Sequence, residues 1–269
     1  MTFAEARANA AGAVGALDAR HLLAWAAGVD PGQVPALCAD PLPAGARGRL
    51  DRAVAERLAG WSVAHVTGRA LFWGREMIVT RDVLSPRPET ETLIAAALAG
   101  PFEQLCDLGT GSGCIAVTLL AEREGATAVA TDLSKGALDC ARANAERHGV
   151  GGRLDLRRSD WWTGVEGSFD LVVSNPPYLS EAELGEATAE VRREPRIALT
   201  PGGDGLGAYR AICAGAVAAL RPGGRVLLEV GPSQGRAVSA LLAGAGFAPT
   251  HVHADMDGRD RVVEARAPA

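Results

Sequence analysis

Lysine is almost missing from this chain: Lys135 is the single lysine among 27 basic residues, set against 32 acidic ones for a formal charge of −5. That balance excludes a protein that grips nucleic acid over a broad basic face. Arginine must carry whatever anion recognition there is. Long apolar runs are also missing. No uncharged stretch approaches the roughly 18–20 residues needed to cross a bilayer, and Glu5, Arg7, Asp18 and Arg20 interrupt the alanine-rich N-terminal segment that would otherwise resemble a secretion signal. The cysteines Cys38, Cys106, Cys114, Cys140 and Cys213 are odd in number and scattered, with no C-x-x-C and no Cys/His cluster at zinc-ligand spacing. This argues against a disulfide framework or a metal centre and for reduced thiols in the cytosol. What is present is 269 residues with 48% hydrophobic and 22% charged side chains, which excludes general disorder and suffices for a large domain carrying a small one. The expectation is a soluble cytoplasmic protein with no membrane contact.

The chain changes character twice. Residues 1–65 read as a helical domain, with apolar residues at three-to-four spacing in Thr2–Leu17, Ala19–Ala27 and Gly48–Leu58. Breakers at Asp30-Pro31-Gly32 and Pro41–Pro43 separate these helices. Residues 66–84 turn to short extended pieces around Gly68 and Gly74 and read as a β-hairpin linker. From 85 to 269 strands and helices alternate. The strand-like runs are Gln104–Leu108, Ala128–Asp132, Leu154–Arg158, Phe169–Ser174, Arg225–Val230, Thr250–Ala254 and Arg261–Ala265. Helical stretches fall at Thr90–Leu98, Ser112–Glu122, Lys135–Arg147, Leu206–Leu220 and Gln234–Ala245. Such alternation predicts an α/β domain built on a mainly parallel sheet covered on both faces.

Chemistry concentrates where predicted strands end. Asp107-Leu108 runs into Gly109-Thr110-Gly111-Ser112-Gly113, and a helix opens at once. Glycine permits positive φ and lets a ligand approach bare backbone, while the helix amides beyond face an anionic group. The spacing is G-x-G-x-G and not the G-x-G-x-x-G of dinucleotide enzymes, which weakens a nicotinamide reading. The next strand ends on Asp132, about 20 residues further along, where a carboxylate accepts from ribose hydroxyls. A third ends Ser159-Asp160-Trp161, an acid and an indole suited to an adenine edge and face, although the tryptophan fits a core equally well. The convergent ligand is one containing adenosine.

The fourth strand runs into Ser174-Asn175-Pro176-Pro177-Tyr178. Consecutive prolines donate no backbone hydrogen bond and leave the sheet in a stiff extended form. That stiffness fixes the Asn175 side-chain oxygen and the Pro176 carbonyl as paired acceptors for a planar NH2 group, with Tyr178 offering a flat face. No histidine adjoins these motifs as an obvious base, so placement and polarisation must carry any chemistry at that nitrogen, whether of an amide or of an aromatic amine. His251 and His253 alternate on a predicted surface strand without a third partner of metal-binding type. The arginines of Arg192-Arg193-Glu194-Pro195-Arg196 read as partner-facing.

Taken together, the sequence resembles the S-adenosylmethionine-dependent methyltransferases that modify planar nitrogens, and most closely the release-factor glutamine N5-methyltransferases. The resemblance is carried by Pro86–Glu91, Asp107–Ala116, Asp132, Ser174–Tyr178, Glu194–Leu199, Gly203–Leu206 and Gly258–Arg261. Ser85 stands where the family more often has an aliphatic residue. The resemblance implies a seven-stranded Rossmann-like methyltransferase sheet with an antiparallel final strand. It implies that Gly109, Thr110, Gly111, Ser112, Gly113, Asp132, Asp160, Trp161 and Asn175 bind S-adenosyl-L-methionine, leaving S-adenosyl-L-homocysteine, without a metal. It further implies that Asn175, Pro176, Pro177 and Tyr178 hold the glutamine of a Gly-Gly-Gln loop, with Asn175, Pro176 and Tyr178 in the catalytic role. The expected partner is a class-1 peptide chain release factor, recognised by residues 1–65, with a monomeric enzyme as the default. Competing readings are a ribosomal-protein glutamine methyltransferase, an enzyme acting on a nucleic-acid base amine, and a silent cofactor-binding scaffold. The acidic charge disfavours the nucleic-acid enzyme, and the acceptor pair disfavours the scaffold.

Overall fold

A computed structural model describes residues 1–268, so Ala269, the last residue of the expected catalytic domain, lies outside the described residues. The described chain divides into two compact units, one formed by Met1–Arg69 with Thr188–Arg193, the other by Ala70–Ala187 with the residues from Glu194 onward.

The first unit holds α1 (Phe3–Val14), α2 (Ala16–Ala27), α3 (Ala46–Leu58) and α4 (Val63–Thr67). Thr2 and Glu5 form a reciprocal capping box that satisfies two orphan amides at the start of α1. The single helix expected over Thr2–Leu17 is in fact two, because Gly15 adopts φ +86° and ends α1 while starting α2. Phe3, Leu22, Leu23, Val34 and Leu50 make its core. The segment 188–193 groups with these helices: Arg57 bonds Asp18 at 2.6 Å and Glu190 at 2.8 Å.

The second unit begins with a two-stranded hairpin, β1 (Arg69–Phe72) and β2 (Arg75–Ile78). Then follow α5 (Glu91–Leu98), β3 (Gln104–Leu108), α6 (Cys114–Glu122), β4 (Thr127–Asp132), α7 (Lys135–Arg147), β5 (Leu154–Arg158) and β6 (Phe169–Ser174). The remaining elements are α8 (Glu181–Glu186), α9 (Arg196–Leu199), α10 (Gly207–Ala219), β7 (Leu220–Glu229), α11 (Gly235–Gly244), β8 (Thr250–Ala254) and β9 (Asp260–Arg266). Seven strands form one sheet in the order β5-β4-β3-β6-β7-β9-β8, parallel from β5 to β7, with β9 antiparallel to both of its neighbours. This is the expected fold class.

Strand residues alternate between two cores. Leu105, Leu171, Val173 and Leu227 face the layer of α5 and α6, with Leu93, Ile94, Leu119 and Leu120. Cys106, Leu108, Val172, Val226 and Leu228 face α10 and α11, with Tyr209, Ile212, Val238 and Leu242. Because β4 and β5 lie on one side of β3 and β6 on the other, the chain direction across the sheet reverses between β3 and β6. A crevice opens at the carboxyl ends of strands at such a switch point. The glycine turn and the Asn-Pro-Pro-Tyr segment are the loops that leave β3 and β6. No described helix is long and apolar enough to cross a membrane.

Candidate active site

The turn after β3 is shaped by its glycines. Gly109, Gly111 and Gly113 sit at φ +71°, +56° and +79°, a region costly for other residues. Thr110 donates its amide to Thr131 at 2.8 Å and its hydroxyl to the Asp107 carboxylate at 2.6 Å. Asp107 is fully buried, and burial pushes its carboxyl up to about 7. Gly113 has a different task, since a Cβ there would lie 3.0 Å from that of Ala141 on α7. It lets helix and turn approach each other. Asn144, also on α7 and fully buried, donates to the Ser112 carbonyl at 2.8 Å and exchanges bonds with Ile78 of the hairpin at 2.7 and 3.0 Å.

Asp132 closes the other side of the turn. Its carboxylate oxygens accept the amides of Gly111 at 2.9 Å and Ser134 at 2.8 Å. Each oxygen keeps lone-pair capacity for a further donor. Burial raises the carboxyl above its ordinary range.

The tandem tryptophans separate by role. Trp162 donates its indole N–H to the Ile212 carbonyl at 2.8 Å and packs so closely on Gly215 that a Cβ there would sit 2.5 Å from the ring. It is an anchor. Trp161 adopts φ +49°, unusual for a bulky residue, and its carbonyl accepts from Ser159 Oγ at 2.8 Å. Its ring lies near Gly109, and the residue lines the cavity.

Beyond β6 the backbone is clamped. Ser174 Oγ donates to the Leu108 carbonyl at 2.6 Å, tying the ends of β6 and β3 together. The Tyr178 carbonyl accepts from Gln234 Nε2 at 2.8 Å. Gly205 lies against this segment at φ +77°, where a Cβ would run into the Tyr178 carbonyl oxygen and lie 3.0 Å from the Ser180 nitrogen. Gly205→Ala is therefore expected to destabilise the fold by about 3 kcal/mol, combining left-handed strain with overpacking. Urea unfolding checks this, and a midpoint within error of the parent refutes it.

A cavity of about 540 Å³ occupies the switch point, within the ordinary range for small-molecule sites. Gly109, Thr110, Gly111, Ser112, Asp132, Asp160, Trp161, Asn175 and Pro177 all line it. Gly113, Pro176 and Tyr178 are not on its wall. Gly113 packs on Ala141, Pro176 is buried, and Tyr178 packs in the core shared by α10 and α11. Asn175 Nδ2 donates to Thr90 Oγ1 at 3.2 Å, which leaves its Oδ1 to accept elsewhere.

Other wall residues were given no site role by the sequence. Asp82, Ser85, Leu133 and Ile197 line the cavity, Ile197 being half exposed. Ser85, the residue that departs from the family pattern, is buried and donates to Glu194 Oε1 at 3.2 Å, and Arg87 reaches the same oxygen at 3.0 Å. This pair joins the Pro86–Glu91 and Glu194–Leu199 segments. His253 Nε2 faces Glu264 at 2.9 Å, and no group of three or more potential metal-ligating side chains exists among the described residues.

A family model described as a methyltransferase small domain matches residues 89–243, and one described as a PrmC N-terminal domain matches residues 3–68. The release factor glutamine methyltransferase of Cereibacter sphaeroides is 56% identical over 255 residues, spanning 94% of this chain and 92% of that protein. Its namesake from Burkholderia pseudomallei is 44% identical, with 94% and 92% coverage. Among solved structures, the hMettl16 catalytic domain in complex with MAT2A 3'UTR hairpin 6 superposes with a TM-score of 0.60 at 16% identity, covering 80% of this chain and 81% of that one. A methyltransferase from Pyrococcus furiosus gives 0.55 at 18% identity, covering 80% and 98%. At such identities these structures speak for the fold alone.

Proposed function

This chain belongs to the release factor glutamine methyltransferases, and from that premise we propose that it methylates the side-chain amide nitrogen, N5, of the glutamine in the Gly-Gly-Gln loop of class-1 peptide chain release factors, using S-adenosyl-L-methionine. The observation that carries this reading is that Asn175 lines the same cavity as Gly109, Gly111 and Asp132.

The cavity suits that donor. Left-handed glycines leave backbone bare on its wall, and Asp132 keeps acceptor capacity for a ribose diol at a strand's carboxyl end. Asp160 and Trp161, on the same wall, would hold its adenine by edge and face. When bound, S-adenosyl-L-methionine supplies an electrophilic methyl group on sulfur. The protein must do the rest.

A carboxamide nitrogen is a poor nucleophile because its lone pair is shared with the carbonyl. Asn175 Oδ1, on the cavity wall, accepts one of its N–H bonds. The backbone carbonyl of Pro176, next in the chain although the residue itself is off the wall, is the acceptor proposed for the other. Together they orient the nitrogen and stabilise the positive charge that grows on it. Positioning donor and acceptor in line contributes roughly 7–11 kcal/mol. Residues 1–65 serve recognition of the release factor, residues 66–84 link, and residues 85–269 carry out the transfer in the cytoplasm.

Incubating the full-length protein with methyl-labelled S-adenosylmethionine and, separately, a class-1 release factor, ribosomal protein or RNA tests the reading. Label is expected on the release factor and is expected to vanish when its Gly-Gly-Gln glutamine is replaced by alanine. Label confined to ribosomal protein or RNA overturns the assignment.

A further inference from the structure

Asn175 presents a problem of polarity. Its carboxamide has nearly the same shape after a half-turn about the last side-chain bond, yet one orientation offers an acceptor to the cavity and the other offers donors. A donor facing the substrate NH2 repels it. The discrimination must come from the neighbours of the carboxamide.

Thr90 adjoins it, 1% exposed and on the same cavity wall, at the end of the turn Pro88–Thr90 that leads into α5, with its Oγ1 3.2 Å from Asn175 Nδ2. Behind Thr90 is Glu229, 1% exposed at the end of β7, whose carboxyl group faces the Thr90 hydroxyl. The pairing of Ser174 with Leu228 brings Asn175 and Glu229 side by side at adjacent strand ends. Glu229 Oε2 has no hydrogen-bond partner among the described residues. A buried carboxyl with an unsatisfied oxygen is an expensive way to fill a core, where leucine or glutamine would serve better.

We propose that Thr90 and Glu229 are positioning residues that set the orientation of the Asn175 carboxamide, an inference that rests on the role given to Asn175 above. An ionised carboxylate only accepts, so it takes the single hydroxyl hydrogen of Thr90. Thr90 Oγ1 can then only accept from Asn175, which must turn its NH2 inward and its oxygen to the cavity. Once Glu229 is protonated it can donate to Thr90 instead, whose hydrogen is then free to bond the oxygen of a reversed Asn175.

The groups facing Glu229 are Arg87 and Glu89 from the Pro86–Glu91 segment, Cys114 at the start of α6, Tyr178, Tyr209 from α10 and Arg261 from β9. Both arginines favour the ionised form, whereas Glu89 and burial oppose it. Burial dominates and pushes the carboxyl up to about 7, so the productive polarity holds above that pH and lapses below it.

The test uses the full-length enzyme, saturating S-adenosylmethionine and a release factor. Thr90→Val, which removes the hydroxyl without changing the volume, is expected to lower kcat by about 10- to 100-fold, the usual cost of removing support behind a contact residue. Its Kd for S-adenosylmethionine should stay within about twofold, well short of the tenfold that 1.4 kcal/mol represents. Thr90→Ser should restore most of kcat. In an Asn175→Ala background Thr90→Val should cost nothing more, because no carboxamide remains to orient. The parent kcat should rise through a pH of about 7, while that of Glu229→Gln, which has no proton to lose in this range, should show no such step. Thr90→Val with parental kcat, or a full additional loss on top of Asn175→Ala, overturns the inference and leaves the proposed function standing. A parent enzyme that leaves release factors unlabelled overturns both.

Discussion

Asn175→Ala is expected to cut methyl transfer to the release factor by about 10²- to 10³-fold, the cost of removing one preorganised partner of developing charge. Affinity for S-adenosylmethionine is expected to change little. The reasoning separates two tasks on one cavity wall. The glycine turn and Asp132 form one side, held by Thr131, Ser134 and Asn144 without help from Asn175. Asn175 is held by Thr90 and by its own stiff neighbours, so its truncation leaves the turn undisturbed. Single-turnover labelling measures the chemical step, and calorimetry measures binding. Turnover above about a tenth of the parent's, a loss of less than 1.4 kcal/mol, removes Asn175 from the role assigned to it.

The second large effect belongs to Asp132. Asp132→Ala is expected to weaken S-adenosylmethionine binding about 100-fold, since two charge-assisted hydrogen bonds to a ribose diol contribute about 3 kcal/mol together. The loss has a further source: the amides of Gly111 and Ser134 lose their acceptor, and the turn loses a brace. Asp132→Asn should fare badly too. Both carboxylate oxygens already accept a backbone N–H, so an asparagine NH2 must face one of them donor to donor. Burial holds the Asp132 carboxyl above its ordinary range, so affinity should decline with acid sooner than for an exposed aspartate. Calorimetric titration decides, and an unaltered Kd for both variants refutes the assignment.

Much of this architecture could be read before any coordinates, and the reason is local. Gln104–Leu108, Leu154–Arg158, Phe169–Ser174 and Thr250–Ala254 are strands at the residues expected, because each is a short run bounded by turn formers. β7 starts at Leu220 and not at the expected Arg225. The pairing explains it: Phe169 faces Leu220 and Leu171 faces Arg225, so the intervening residues are taken up in an irregularity within the strand. Helices α4, α8 and α9 were beyond periodicity, being too short to complete a hydrophobic repeat. The Ser180–Glu183 capping box was a usable sign of α8.

The cavity divides in the same way. Gly109, Asp132, Trp161 and Asn175 follow strand ends, so reading the strands also locates them on the crevice. Ser85, Thr90 and Ile197 reach the neighbourhood through the course of loops distant in sequence, which no local pattern encodes. Glu229 did leave a trace. It is an acid in the run Arg225-Val226-Leu227-Leu228-Glu229-Val230, where a strand covered on both faces has no solvent to offer it.

β9 follows β8 in the chain yet lies between β8 and β7. During synthesis β8 therefore waits without a partner until the residues of β9 have emerged and slotted in beside β7. Arg261, near the start of β9, bonds Asp255 and the Val230 carbonyl and is one of the two cations favouring the charge on Glu229. A nascent chain still lacking that strand already contains the residues of its glycine turn and its Asn-Pro-Pro-Tyr segment, but the two outermost strands beyond β7 are not yet in place. Competence thus arrives late, with a strand that never touches the cavity.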